Sequence, residues 1–324
     1  MRVLVTGGSE FISLHVVRSL LRGDHEVTVL NRGHRNDRLP PGVRAIVADR
    51  KDHEGLKARL AGERFEAVYD LTYAPTIGQD VAALLDAVGP SLKHVLFCST
   101  GRVYDHALPI PYDEETPRNF YWGEYARNKI AAEDVLLERY HRDGVPFTIL
   151  RPTHVIGPLN TRNNETFFFD RILRGRPVLV PGHGGWLRQF GHVEDLADAF
   201  AAALGNPKAF CRAYNATGEE IVTQVGFVEL IAELLDRPVE LRHFDPALPK
   251  RFERPEPVFG QNLAYDCHAV YTTSRLRAEL GIRPRYTLAS GLDQTFEWYL
   301  KEGLDRRPVD FSFEDQLLNL IHRS

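Results

Sequence analysis

The chain is poor in cysteine. Cys98, Cys211 and Cys267 are the only three in 324 residues, and they lie far apart. They form no CxxC pair and no zinc-ligand spacing, which argues against a disulfide framework and a thiolate metal site. No metal is expected. A reducing compartment fits this usage, and a cytoplasmic location is the expectation. Long apolar runs are also lacking, so no segment reads as a membrane span. The chain opens directly on a core strand, and no signal peptide is expected. Charge of one sign is not in excess: 40 basic residues face 44 acidic ones, for a formal net charge of −4. No overall basic field draws in nucleic acid, which argues against it as a partner. Internal repeats and low-complexity stretches are absent too. A chain of this length buries roughly 75% of its unfolded surface, enough for one large unit or for two lobes around a cleft.

What is present begins at the first residue. Met1-Arg2-Val3-Leu4-Val5-Thr6-Gly7-Gly8-Ser9-Glu10-Phe11-Ile12-Ser13 reads as a buried strand, a tight glycine turn and a helix start. Leu14–Leu21 carries apolar residues at helical spacing, Gly23 ends the helix, and His25–Leu30 is a second strand. This is a βαβ unit whose helix N-terminus suits a dinucleotide pyrophosphate. Further strands read at 44–47, 67–71, 94–97 and 146–150, with helical patterns between them. Alternation of this kind predicts a doubly wound parallel sheet. Beyond residue 157 the pattern changes. A helix at 193–204 and a strand at 213–215 return to the sheet, while helices near 224–235 and 272–280 read as parts of a smaller lobe. The expected division is 1–157 with about 189–217 for a Rossmann-type domain. About 158–188 with 218–324 forms an α+β lobe for substrate.

Two short strings carry the chemistry. Cys98-Ser99-Thr100-Gly101-Arg102-Val103-Tyr104 follows the apolar run Val95-Leu96-Phe97, and Tyr125-Ala126-Arg127-Asn128-Lys129 opens a helical pattern. Tyrosine and lysine at i and i+4 share one helix face. A tyrosine beside an ammonium ionises more easily, because positive charge favours the phenolate. That suits acid–base work on a substrate hydroxyl or carbonyl.

At this point the sequence resembles a known family, the extended short-chain dehydrogenase/reductases or NAD-dependent epimerase/dehydratases. The resemblance covers essentially the whole chain. It is carried by Thr6-Gly7-Gly8, Asp49-Arg50, Ser99-Thr100 with Val103-Tyr104, Tyr125 with Lys129, Arg151-Pro152-Thr153, His192–Leu196 and Leu280–Pro284. The tail Asp310–Leu318 is similar to that of the atypical branch containing the chloroplast stem-loop-binding proteins. The resemblance implies three catalytic residues. Tyr125 exchanges the proton of a substrate oxygen, Thr100 hydrogen-bonds that oxygen, and Lys129 holds the nicotinamide ribose. It implies cofactor contacts at Gly7, Glu10, Phe11, Ile12, Asn31, Arg32, Asp49, Arg50, Leu71, Thr72, Tyr125, Lys129, Pro152 and Thr153, with Asp49 meeting the adenine amino group. Arg102, His154 and Arg188 are the implied substrate contacts, Arg188 at a sugar-nucleotide phosphate. A homodimer through the long helices is also implied.

The departures from the family pattern narrow the reading. Glu10 and Ser13 stand where the family has glycine. A carboxylate at residue 10 is expected to repel the two phosphates and weaken cofactor binding. Asn31-Arg32, with His34, Arg35 and Arg38 behind, replaces the carboxylate that would grip the NAD ribose, so NADP is expected over NAD. Sugar 4,6-dehydratases of the family carry an Asp-Glu pair after the threonine. Here Gly101 and Arg102 cannot serve as that acid and base. The leading expectation is an NAD(P)-dependent epimerase or oxidoreductase acting on a sugar or sugar nucleotide. Two alternatives are an RNA-binding or RNA-processing protein and a cofactor-binding protein with weakened catalysis.

Overall fold

The computed structural model describes residues 1–260 and 263–321. The chain divides into two units. The first comprises Met1–Val155, Gly191–Gly218 and Tyr271–Arg285, and the second Ile156–Phe190, Glu219–Val270 and Tyr286–Ser324.

In the first unit β1 (Arg2–Thr6), β2 (Glu26–Asn31), β3 (Arg44–Val47), β4 (Ala67–Asp70), β5 (His94–Cys98) and β6 (Phe147–Pro152) form a parallel sheet with the strand Arg212–Ala216. The order is Arg212–Ala216, β6, β5, β4, β1, β2, β3. This is the Rossmann-like α/β architecture that the alternating elements predicted. The chain reverses its winding between β1 and β4, the place where such sheets bind ligands at their strand ends.

The strands are apolar on both faces, as a doubly covered parallel sheet requires. Successive residues alternate between two cores. Val3, Val5, Leu96 and Cys98 join one cluster, and Leu4, Val95 and Phe97 join the other. Helix α1 (Phe11–Arg22) and the helix Val193–Ala203 cover the first face. Helices α2 (His53–Leu60), α3 (Ile77–Val88) and α4 (Gly123–Asp143) cover the second.

The helix near 272–280, expected in the smaller lobe, groups with the first unit instead. Leu276 is buried in the first core with Leu280 and Ile282 against it. Arg285 adds an ion pair to Asp198 at 2.7 Å. An amphipathic helix packs on whichever core its apolar stripe meets, and periodicity does not say which.

In the second unit Val178–Pro181 pairs with Leu241–Phe244, and residues 187–189 pair antiparallel with Ile221–Thr223. Helices Glu165–Leu173, Gln224–Leu234 and Leu288–Lys301 pack around Phe167, Phe168 and Phe169, all fully buried. The helix Ser312–Ile321 closes a small cluster through Phe313 and Leu317, and Glu314 pairs with buried Arg171. Among the described residues no helix is long and apolar enough to cross a membrane.

Candidate active site

The glycine turn between β1 and α1 depends on its two glycines. Gly7 and Gly8 sit at φ +86° and +85°, which side chains rarely adopt. A Cβ at Gly8 would stand 2.3 Å from Val29 Cγ1, and one at Gly7 would stand 3.1 Å from both Ser13 Oγ and Thr72 Cγ2. The cradle is therefore bare backbone at the start of α1, whose first N–H groups lack helical partners. Phe11 opens the helix at φ +33°, a strained conformation for a bulky residue. These features fit a dinucleotide pyrophosphate.

Glu10 changes the expected electrostatics less than its position suggests. Its carboxylate meets Arg35 Nε at 3.0 Å, both side chains being about half exposed. The carboxylate at the cradle is thus offset by an arginine from the loop after β2. Ser13 gives its hydroxyl to the Glu10 carbonyl at 2.8 Å. Asn31 staples that loop to the turn, donating from Nδ2 to the Gly7 carbonyl (3.0 Å) and accepting from the Gly33 N–H (2.7 Å). Asn31 thus orders the loop, and Arg32 is exposed beside it.

Asp49 is exposed and accepts the Lys51 N–H at 3.0 Å. Arg50 turns inward. Its Nη1 and Nη2 pair with the two oxygens of Asp70 at 2.6 and 2.8 Å, and Nη1 also donates to Thr72. Burial pushes the Asp70 carboxyl up, but Arg50 and the Thr6 hydroxyl outweigh it, so the group lies below its usual range. Thr6 Oγ1 in turn accepts the Leu71 N–H at 2.9 Å. Arg50 and Asp70 thus hold the strand ends from which Leu71 and Thr72 project.

The catalytic candidates lie in the same unit. Thr100 follows β5 and caps the short turn Gly101–Val103, its Oγ1 accepting the Arg102 N–H at 3.3 Å. Tyr125, Lys129 and Glu133 succeed one another at i, i+4 and i+8 on one face of α4. Lys129 is buried. Its Nζ donates to the Cys98 carbonyl at 2.7 Å and lies 4.8 Å from the Phe97 ring centroid. Tyr125 is half-buried, and its ring packs against Tyr73 at 4.9 Å.

Below them runs a polar network that sequence reasoning missed. Ser99 Oγ donates to Glu133 at 2.5 Å, and Arg151 grips both oxygens of Glu133 at 3.0 and 2.7 Å. Arg118 adds a third cation at 3.1 Å. Burial pushes Glu133 up, while Arg151, Ser99 and Arg118 draw it down further, so the carboxyl stays below its usual range. Arg151 Nη1 also donates to the Tyr104 hydroxyl, which donates to Asn215. The strand register brings Arg151 and Asn215 side by side. The spacing of Glu133 four residues beyond Lys129 was the available signal. Pro152 ends β6, and Thr153 shares a 2.6 Å hydrogen bond with Thr217.

Aromatic rings pack beside Thr100. A Cβ at Gly101 would stand 2.7 Å from Tyr271 Cε1. Tyr271 is buried, and its hydroxyl lies 3.3 Å from His106 Nε2. Arg102 lies over the Trp122 ring at 4.8 Å. His154 is partly exposed just beyond Thr153. Arg188, in the second unit, is buried. It donates to the carbonyls of Leu187 (2.8 Å), Cys267 (2.5 Å) and Tyr265 (2.5 Å), so it pins the 265–267 segment to its strand.

The sequence profile of the NAD-dependent epimerase/dehydratase family matches residues 3–216. The chain belongs to that family. It is similar to the chloroplast stem-loop binding protein of 41 kDa b from Arabidopsis thaliana, 31% identical over 338 residues covering 98% of this chain and 84% of that protein. Its fold is similar to that of UDP-glucose 4-epimerase from Thermotoga maritima, solved with UDP-glucose. The TM-score is 0.79 at 22% identity, over 93% of this chain and 99% of that one. UDP-glucose 4-epimerase from Thermus thermophilus, solved in complex with NAD, gives a TM-score of 0.75 at 25% identity, over 93% of this chain and 99% of that one.

Proposed function

We propose that this chain is an NAD(P)-dependent epimerase or oxidoreductase acting at a hydroxyl or carbonyl carbon of a sugar or sugar nucleotide. One observation carries the reading. Thr100 at the end of β5, Tyr125 and Lys129 on one face of α4, and the bare glycine turn belong to a single folded unit. A nicotinamide dinucleotide, when bound, supplies hydride transfer. Gly7, Phe11 and Ile12 would hold it through backbone at the start of α1. Arg32 would meet the adenosine end, which favours NADP. Lys129 would hold the ribose next to the nicotinamide.

The chain's own task is the proton. Thr100 accepts the Arg102 N–H, which leaves its hydroxyl proton to donate to a substrate oxygen. Tyr125 gives or takes the proton on that oxygen from its phenol. Arg102 and His154 are proposed substrate contacts of the first unit. For the second unit the proposal is Arg188, at a phosphate. Dehydration by an acid–base pair after Thr100 is set aside, because Gly101 carries no acid and Tyr271 takes the space of a side chain there.

A second reading, RNA binding, is favoured by the name of the Arabidopsis relative alone. The test is turnover of a panel of UDP- and dTDP-sugars with NADP⁺ or NAD⁺, followed by NMR of the products. Saturable dinucleotide binding and a changed sugar support the first reading. Binding of a structured RNA with neither of these favours the second.

A further inference from the structure

Tyr73 was singled out by no motif, yet its ring touches the face of α4 on which the proposed chemistry depends. It lies on the loop after β4, directly beyond Thr72, whose methyl group stands against the glycine turn. The loop thus runs from the turn toward the side chains of α4. The Tyr73 ring packs on that of Tyr125 at 4.9 Å with the planes inclined by 58°. The Lys129 ammonium lies 5.6 Å from the Tyr73 ring centroid. The Tyr73 hydroxyl accepts a long hydrogen bond, 3.4 Å, from Asn128. Burial separates the two partners: Tyr73 is 40% exposed and Lys129 only 3%. On its inner side Lys129 meets Phe97 and the Cys98 carbonyl. Tyr73 is therefore an outer cover of the ammonium.

We propose that Tyr73 is a further residue of the dinucleotide site, a ring that covers Lys129 and Tyr125 and that the nicotinamide ribose displaces to reach Lys129. This rests on the reading of Lys129 as the ribose-holding residue. The ring acts against binding of the nicotinamide half, because its contacts with Tyr125 and Lys129 must be given up first. The adenine half, held at the glycine turn and by the loop after β2, does not encounter it. The cover therefore distinguishes the two halves of one ligand.

The experiment is calorimetric titration of the full chain and its Tyr73→Ala, Tyr73→Ser and Tyr73→Phe variants with NADPH and with adenosine 2′,5′-bisphosphate. Thermal unfolding checks that each variant folds. Tyr73→Ala and Tyr73→Ser should bind NADPH roughly three- to tenfold more tightly, the scale of lost aromatic contacts. They should bind the bisphosphate as the parent does, and Tyr73→Phe should match the parent with both ligands. Unchanged NADPH affinity in the small variants overturns the proposal. So does weaker binding, which would make Tyr73 a support of the nicotinamide. A parental chain that binds neither ligand overturns the functional reading itself.

Discussion

Glu165 opens a helix of the second unit with its carboxyl fully buried. Asn160 Nδ2 donates to its two oxygens at 3.0 and 3.2 Å, and the Gly157 N–H contributes a further hydrogen bond. These neutral donors do not offset the loss of water. Burial pushes the carboxyl up from 4.5 to about 7. In the unfolded chain the group sheds its proton near 4.5. Between those values the unfolded state binds fewer protons than the folded one, so stability falls as pH rises through the window. At 1.36 kcal/mol per pKa unit, the loss between pH 5 and pH 8 is roughly 2–3 kcal/mol. Glu165→Gln removes the charge and keeps the shape. Urea unfolding of parent and variant, followed by tryptophan fluorescence at half-unit steps from pH 5 to 8, measures the difference directly. The variant should gain on the parent steadily with pH, by the amount above. A stability difference that stays flat across the range would refute the burial argument.

His94 should produce the opposite slope on the acid side. Burial lowers it from 6.5 to about 4, and its Nδ1 accepts the Gly205 N–H, so charging it would set two donors face to face. The unfolded chain then binds more protons below pH 6.5, and stability should fall as pH drops from 6.5 to 4. His94→Gln should flatten that loss in the same unfolding series. Arg50→Ala leaves Asp70 buried without its cation and should destabilise the fold by roughly 3–5 kcal/mol, read by urea unfolding. Glu10→Gly removes a half-exposed ion pair with Arg35 and should change NADPH affinity by less than about fivefold, the scale of a surface pair. A tightening beyond tenfold in calorimetry would restore the view of Glu10 as an electrostatic penalty. Arg32→Ala should bring the NADPH and NADH affinities together, whereas an unchanged ratio would remove Arg32 from cofactor choice.

The parallel sheet was legible because each strand is a short apolar run bounded by turn residues, and because a glycine turn joins β1 to α1. The sharing of one helix face by Tyr125 and Lys129 followed from spacing alone. Partners distant in sequence were not legible. Arg50 reads as a loop cation until Asp70 stands beside it, twenty residues on. Glu10 reads as a bare carboxylate until the turn of the next loop delivers Arg35. Arg188 reads as a phosphate contact, and nothing in the sequence announces the carbonyls its guanidinium also meets nearly eighty residues later. Periodicity reports which face is buried, and long charged side chains choose partners by three-dimensional reach. Strands of three or four residues in the second unit are too short for any period to show. Tyr73 and Tyr271 carried no pattern, because a single ring in a loop has none.

In the proposed reaction Tyr125 moves the proton while the glycine turn and Lys129 hold the dinucleotide. The most direct test compares parent and Tyr125→Phe in single-turnover reactions, with NADPH affinity measured on the same preparations. NADPH binding should be unchanged and the rate lowered by roughly 10²–10⁴, the usual worth of a positioned acid–base group. Turnover by Tyr125→Phe at the parental rate would contradict it.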